Sequence, residues 1–298
     1  WIPDQVPIFF SKQNGDWTDP NTWERNDGGT VPANGPVGQR VHIRTAHTVT
    51  VTTNFRRAYQ TTINGRLELG TTINHILGYV QGTGTLSVHS NSVPTGNYTA
   101  FFGCDGGTME YGGPGTYILS DRYDHYHNLT ITGSGTKTLP NLNLTICGDL
   151  RIEGTATLAM PGNPGYRQTF INGDVYLLGS ATWDFNTNFA RARLRGNFEK
   201  DNTARLKTYN NATRYFWFDG TGTQSINGDF TGINGFGGVE MYNHRIIQLT
   251  GPMDIAVYLL LRNNVRVQNT SASLLRLTRT QGNGLNVADG IVEGPIRI

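Results

Sequence analysis

The sequence has 298 residues, a formal net charge of +2, 37% hydrophobic and 15% charged residues, and 38 glycines. That length allows one large domain or two ordinary ones with a real core, and the near-neutral charge gives no wide basic surface for a nucleic-acid partner. No apolar run approaches the ~20 residues that cross a membrane as a helix, so no membrane insertion is expected, and abundant Thr, Asn and Gly favour strands and tight turns over helices.

The chain opens with Trp1 where a start codon would place Met, which we read as an exported protein after processing, or a fragment. Residues 14–32, "NGDWTDPNTWERNDGGTVP", are polar and turn-rich yet carry Trp17 and Trp23. Regular strand pattern begins directly afterwards with "RVHIRTAHTVTVTT", Arg40 to Thr53. The first repeat of a stacked fold exposes an apolar end and an unpaired strand edge, so it needs a cap. Residues 1–39 are therefore expected to be an irregular cap held by Trp17 and Trp23, and 40–298 a succession of coils continuing past the end at "EGPIRI". The rival reading makes the two tryptophans a sugar-stacking platform.

Alternation of apolar and polar residues continues through "YQTTINGRLELG", "GTLSVHS" and "GDLRIEGTATLAM", with Gly, Asn and Asp between the runs. This predicts short strands of about 4–6 residues joined by tight turns. Cys104 and Cys147 both sit in strand-like runs, with no metal-binding spacing. They read as small buried thiols, or as a bridge if the fold brings them together.

Two motifs recur. "QGTGTLSV" (Gln81 to Val88) returns as "TGSGTKTL" (Thr132 to Leu139) and "DGTGTQSI" (Asp219 to Ile226). A Gly-polar-apolar unit appears at "NGRLEL" (Asn64 to Leu69), "CGDLRI" (Cys147 to Ile152), "NGDVYL" (Asn172 to Leu177) and "RGNFEK" (Arg195 to Lys200). Gly148, Gly173 and Gly196 lie 25 and 23 residues apart. Periods of ~20–50 residues mark solenoids and propellers, but a propeller blade needs ~40–45. The Leu-x-x-Leu-x-Leu spacing of leucine-rich repeats is absent. The expected fold class is all-β, a right-handed parallel β-helix with apolar ladders inside and Asn at its corners.

The densest titratable segment is "SDRYDHYHN", Ser120 to Asn128. Asp121, Asp124 and His125 are its catalytic candidates, and Tyr123, Tyr126 and His127 its binding candidates. A glycoside hydrolase needs a carboxylate pair ~5–9.5 Å apart, and a lyase draws acids for calcium from several coils. No second acidic cluster repeats at coil spacing, so the segment reads first as a solvated loop and no catalytic residue is assigned. "CDGG" (Cys104 to Gly107) offers one carboxylate, too few for calcium, so no metal or cofactor is assigned. Gly-x-Ser-x-Gly, nucleotide-loop and His-Glu-x-x-His motifs are all absent from the sequence.

Further along, Arg191, Arg193 and Arg195 alternate and would line one face of a strand; a solvated face is the plain reading. In "RYFWFDG" (Arg214 to Gly220), Tyr215 and Trp217 alternate with Phe216 and Phe218, so one set enters the core and the other could meet a glycan or a protein. Sequons at Asn97, Asn128, Asn143, Asn211 and Asn269 follow from an Asn- and Thr-rich composition.

The stretch from Asn14 to Pro32, followed by "VGQRVHIRTAHTVTVT", resembles the opening of large bacterial surface β-helix proteins and of eight-glycine-type β-helix domains. "NLTITGSGTKTLPNLNLTICGDLRIEGTATL" (Asn128 to Leu158) and "YFWFDGTGTQSINGD" (Tyr215 to Asp229) resemble repeats of giant type IX-secreted proteins, among them adhesins of gliding bacteria. The resemblance implies a secreted, cell-surface segment that acts as a rod or binding surface. Its expected partners are the outer-membrane type IX translocon during export, then surface glycans or other surface proteins. Their C-terminal sorting domain is not visible here. Because such coils also serve enzymes, a polysaccharide lyase or hydrolase and a non-catalytic carbohydrate-binding module are the alternatives.

Overall fold

A computed structural model of the protein describes residues 6–161, 167–185, 190–208, 215–242, 246–278, 285–287 and 289–298. The chain divides into two compact units, Trp1–Ser120 with His125–Thr130, and Asp121–Asp124 with Ile131–Ile298. Each is a parallel β-solenoid, as the alternation and the repeats predict. Among the described residues, helix is limited to the short turns Pro20–Thr22, Thr99–Phe102 and Gly232–Asn234, and none is long and apolar enough to cross a membrane.

In the first unit, one sheet runs through Thr95–Asn97, Ile76–Gln81, Gln60–Ile63, Arg40–Ile43, Ile8–Ser11 and Trp23–Arg25. Its pairings are parallel except the last, where Trp23–Arg25 lies antiparallel to Ile8–Ser11. A second sheet takes Gly15–Asp16, Thr48–Thr50, Arg66–Glu68, Thr85–Val88 and Thr108–Tyr111 in parallel. The opening segment is thus more regular than its composition implies. It contributes a strand to each sheet, and its antiparallel strand occupies an edge that would otherwise offer unpaired backbone groups.

Between the sheets, the in-register column Val49, Leu67, Leu86, Met109 is fully buried. Thr61 takes a buried place between Val41 and Val80, and its hydroxyl donates to the Leu77 carbonyl at 2.8 Å. A buried hydroxyl needs such a partner.

The second unit carries three parallel sheets. One stacks Leu150–Ile152, Val175–Leu177, Phe198–Lys200, Gln224–Asn227, Ile246–Leu249, Arg266–Gln268 and Ile291–Glu293. A second stacks Thr136–Thr138, Thr157–Ala159, Thr182–Asp184 and Arg205–Lys207. The third runs from Leu144–Ile146 through Arg167–Ile171, Ala190–Leu194, Tyr215–Phe218, Phe236–Met241 and Met253–Leu261 to Leu275–Leu277 and Ile296–Arg297. Trp183, Phe185, Phe198, Phe216, Phe230 and Phe236 pack together inside it.

The Gly-Asp repeat has a physical cause in this unit. Asp149 Oδ1 accepts from the Asp174 N–H at 2.8 Å, Asp174 Oδ1 from Asn197 at 2.7 Å, and Asn197 Oδ1 from Ser225 at 2.8 Å. Each Asx side chain therefore satisfies the backbone of the next coil. The glycine before it allows the coils to approach: a Cβ on Gly196 would lie 2.2 Å from the Gly173 carbonyl oxygen. The first motif is less uniform than its letters suggest. Thr85–Val88 and Gln224–Asn227 share sheets with Gly-polar-apolar strands, whereas Thr136–Thr138 belongs to the four-strand stack.

Two expectations need correction. Neither cysteine is a buried thiol: Cys104 and Cys147 are both disulfide-bonded. The repeat "RGNFEK" places Lys200, in register with Leu177, at an inward position. Burial holds its ammonium below the ordinary lysine value although Asp229 and Asp201 oppose the shift. It donates to the Asp201 carbonyl at 2.9 Å and lies 5.7 Å from the Phe230 ring centre.

Candidate functional site

Trp17 and Trp23 are core residues, 0% and 3% exposed, so the sugar-platform reading of this pair fails. Their rings meet edge-to-face at 5.4 Å. Trp17 Nε1 donates to the Pro36 carbonyl at 3.0 Å and Trp23 Nε1 to the Trp17 carbonyl at 2.8 Å.

The segment Ser120–Asn128 is shared between the units: Asp121–Asp124 belong to the second, and Ser120 and His125 to Asn128 to the first. In the second unit Asp121 and Asp124 are exposed, and Tyr123 is half-buried, its phenol pushed up by burial against the opposing charge of Arg122. In the first unit His125 is exposed and His127 half-buried, with His127 Nδ1 buried and unpartnered. Tyr126 is no binding surface. It is fully buried, its ring 4.8 Å from Phe102 and its hydroxyl 3.2 Å from that of Tyr111. Its neighbour His125 is exposed, so the short strand His125–Tyr126 alternates and turns the tyrosine inward. Among the described residues, no group of three or more His, Cys, Asp or Glu could hold a metal ion.

The structure gathers a different constellation on the outward face of the third sheet of the second unit. Phe216 and Phe218 point into the core and Trp217 points out, as alternation requires; the Tyr215 side chain lies outside the described residues. Register then sets the neighbours. Phe170, Arg193, Trp217 and Glu240 occupy one row across four consecutive strands. The row beside it, two residues earlier, brings Gln168, Arg191, Gly238 and Tyr258. Just past the strand ends stand Arg195, Asp219, Tyr242 and Arg262, whose amides bond the carbonyls of the preceding coil.

Arg193, Trp217, Asp219 and Tyr242 line a cavity of about 170 Å³. Arg193 Nε donates to Asp219 Oδ2 at 2.5 Å, and Arg195 lies 3.9 Å from Asp219 Oδ1. Asp219, 3% exposed, is therefore a buried carboxylate under arginine cover, the pairing such a charge requires. The Arg191 and Arg193 guanidiniums lie 5.4 and 6.0 Å from the Trp217 ring centre, and that of Arg262 lies 5.9 Å from Tyr242. Trp217 Nε1 is buried and meets no hydrogen-bond partner. Tyr242 donates to Glu240 Oε2, and Tyr258 to Glu240 Oε1 at 3.1 Å. Burial, then the Glu240 hydrogen bond and charge, push the Tyr242 phenol up to about 12 although Arg262 and Arg193 oppose the shift, so it stays a donor at neutral pH.

Sequence reading identified Trp217 and the arginine row separately. It missed Asp219, Glu240, Tyr242, Tyr258 and Arg262. The signal was present in the coil spacing: Arg193, Trp217 and Glu240 lie 24 and 23 residues apart, and Arg195, Asp219 and Tyr242 likewise. No protein-family model, curated protein or solved structure matches the chain.

Proposed function

We propose that this chain is a structural and adhesive segment of a large secreted bacterial cell-surface protein, a stiff β-solenoid that presents a binding face. The observation carrying the reading is the face around Arg193, Trp217 and Tyr242. Consecutive parallel strands hold its side chains in fixed register, an arrangement suited to binding with little ordering cost. Export through the type IX route rests on the resemblance of residues 128–158 and 215–229 to repeats of such secreted proteins. The disulfide-bonded state of Cys104 and Cys147 supports an oxidising destination.

The test is retention of the purified chain on immobilised cell-surface polysaccharides and on whole bacterial cells. Retention lost in Trp217→Ala, with far-UV dichroism unchanged, is the expected result. Equal retention by the variant moves the binding face elsewhere, and no retention of the parent on any surface removes the adhesive reading.

Asp219 lines the groove and Glu240 stands on the same sheet face, in register with Trp217, and a carboxylate pair is what glycoside hydrolysis demands. An enzyme is therefore the second reading. New reducing ends or unsaturated products from a polysaccharide panel, with and without calcium, would establish it if they vanished in Asp219→Asn or Glu240→Gln. Loss instead in Asp121→Ala, Asp124→Ala and His125→Ala would return the chemistry to the Ser120–Asn128 segment.

A further inference from the structure

The groove's charge balance defines its ligand more closely. Arg191, Arg193, Arg195 and Arg262 stand against two carboxylates, Asp219 and Glu240. Glu240 already accepts from two tyrosine hydroxyls, and Asp219 is held by Arg193 with Arg195 close by. The face thus carries an excess of two positive charges. The buried, unpartnered Trp217 Nε1–H adds a donor that lacks an acceptor, a condition that costs free energy until something supplies one.

A bare anion would meet the arginines but also the repulsion of Asp219 and Glu240. A neutral sugar would satisfy the carboxylates with its hydroxyls and leave the positive excess unmatched. A ligand that offers hydroxyl donors together with a negative charge meets both halves of the lining. The cavity of about 170 Å³ lies below the ~300–1,000 Å³ of ordinary small-molecule pockets. It has room for one ring of a longer chain, whose neighbouring units would lie along the open sheet face.

We infer that this groove binds one acidic sugar unit of an extracellular polysaccharide, a ring bearing a carboxylate or sulfate group. This rests on the adhesive reading and names its ligand class. The anionic group meets Arg193 and the Trp217 indole N–H, while Arg191 is oriented by its contact with the Trp217 ring. The sugar hydroxyls donate to Asp219 and Glu240. Charge complementarity of this kind sets specificity and salt dependence more than raw affinity.

The experiment titrates the full chain with uronate oligomers, sulfated oligosaccharide, neutral glucan oligomers and single-stranded DNA, by calorimetry and tryptophan fluorescence. Trp17, Trp23 and Trp183 are buried, whereas Trp217 is half-buried beside the groove, so a ligand-induced change lost in Trp217→Phe locates the site. Binding of either acidic arm, weakened at least about tenfold between about 0.05 and 0.5 M salt, is expected. Whichever arm binds identifies the anionic group. Arg191→Gln should weaken it about tenfold or more. Because Arg193→Gln leaves Asp219 buried without its closest cation, it is paired with Arg193→Gln/Asp219→Asn, which removes both charges. Arg151→Gln, on another sheet, should change nothing.

Glucan binding as tight as the acidic arms, or binding indifferent to salt, overturns the acidic-sugar inference and leaves the binding face standing. DNA binding as tight as the uronate arm also overturns it, since any polyanion would then suffice. Absence of binding by every glycan, with the fold intact, overturns the inference and the adhesive reading together.

Discussion

Two tryptophan regions of this protein have opposite fates. Trp17 and Trp23 sit in a polar, turn-rich stretch where an exposed platform is easy to imagine, yet they are buried and both indole N–H groups reach backbone carbonyls. Trp217 sits in "RYFWFDG", the more apolar run, yet it faces outward, arginines lie near its ring, and its N–H has no acceptor. Local polarity is thus a poor guide to whether an aromatic is available to a ligand. Strand parity is the better guide, because successive residues of a strand face opposite sides of the sheet.

The largest test of this contrast is Trp17→Ala. Loss of a fully buried tryptophan should cost about 3–5 kcal/mol, read as a lower urea midpoint, with aggregation as the opening coil loosens. Survival near the parent midpoint would show that the pair does not anchor this unit.

Acid should strike the unit of the tryptophan pair through His75. Burial depresses its imidazole from 6.5 to about 4, with Arg56 adding to the shift and a Thr72 bond opposing it. Between those values the unfolded chain binds a proton that the folded chain refuses. Stability is therefore full above about pH 6.5 and declines as pH falls toward 4, by about 3 kcal/mol in all. His42, also depressed by burial and Arg44, works in the same direction. Denaturation midpoints followed by tryptophan fluorescence from about pH 7.5 down to about pH 4 measure the loss. A flat profile would contradict the buried neutral imidazole.

Trp217→Ala should cost about 1 kcal/mol or less in stability, as typical half-exposed substitutions do, while abolishing glycan retention. A destabilisation matching that of Trp17→Ala would erase the contrast between the regions. The smallest effect belongs to Arg191→Gln: a midpoint within about 0.5 kcal/mol of the parent, with weakened acidic-sugar binding as its visible consequence. Unchanged binding would make that arginine the plain solvated residue its alternation suggests.

Much of the fold was legible. Alternation exposed the strands, glycine spacing exposed the coil, and parity sorted Phe216 and Phe218 from Trp217. The Ser120–Asn128 segment was the most conspicuous candidate and the least informative, because density of titratable and aromatic residues does not say which of them face solvent, and Tyr126 turned into the core. Cys104 and Cys147 illustrate the same limit: pairing depends on Cα positions and side-chain directions that no spacing encodes.

The sequence by itself determined the all-β parallel stack, because a two-residue alternation and a coil period near 24 residues leave few ways to bury the apolar side chains. It also determined where glycine and Asx recur, since coil-to-coil approach and backbone pairing impose them locally. Only the tertiary structure decided which outward residues form a site. Arg193, Trp217, Asp219 and Tyr242 come from three strands and their ends, and whether they meet depends on register, on loop lengths between coils and on which side chain sinks beneath another. Asp219 shows the reason most plainly: its outward parity predicts exposure, but Arg193 and its neighbours close over it, an outcome set by side-chain packing between coils, to which a single strand's pattern is blind.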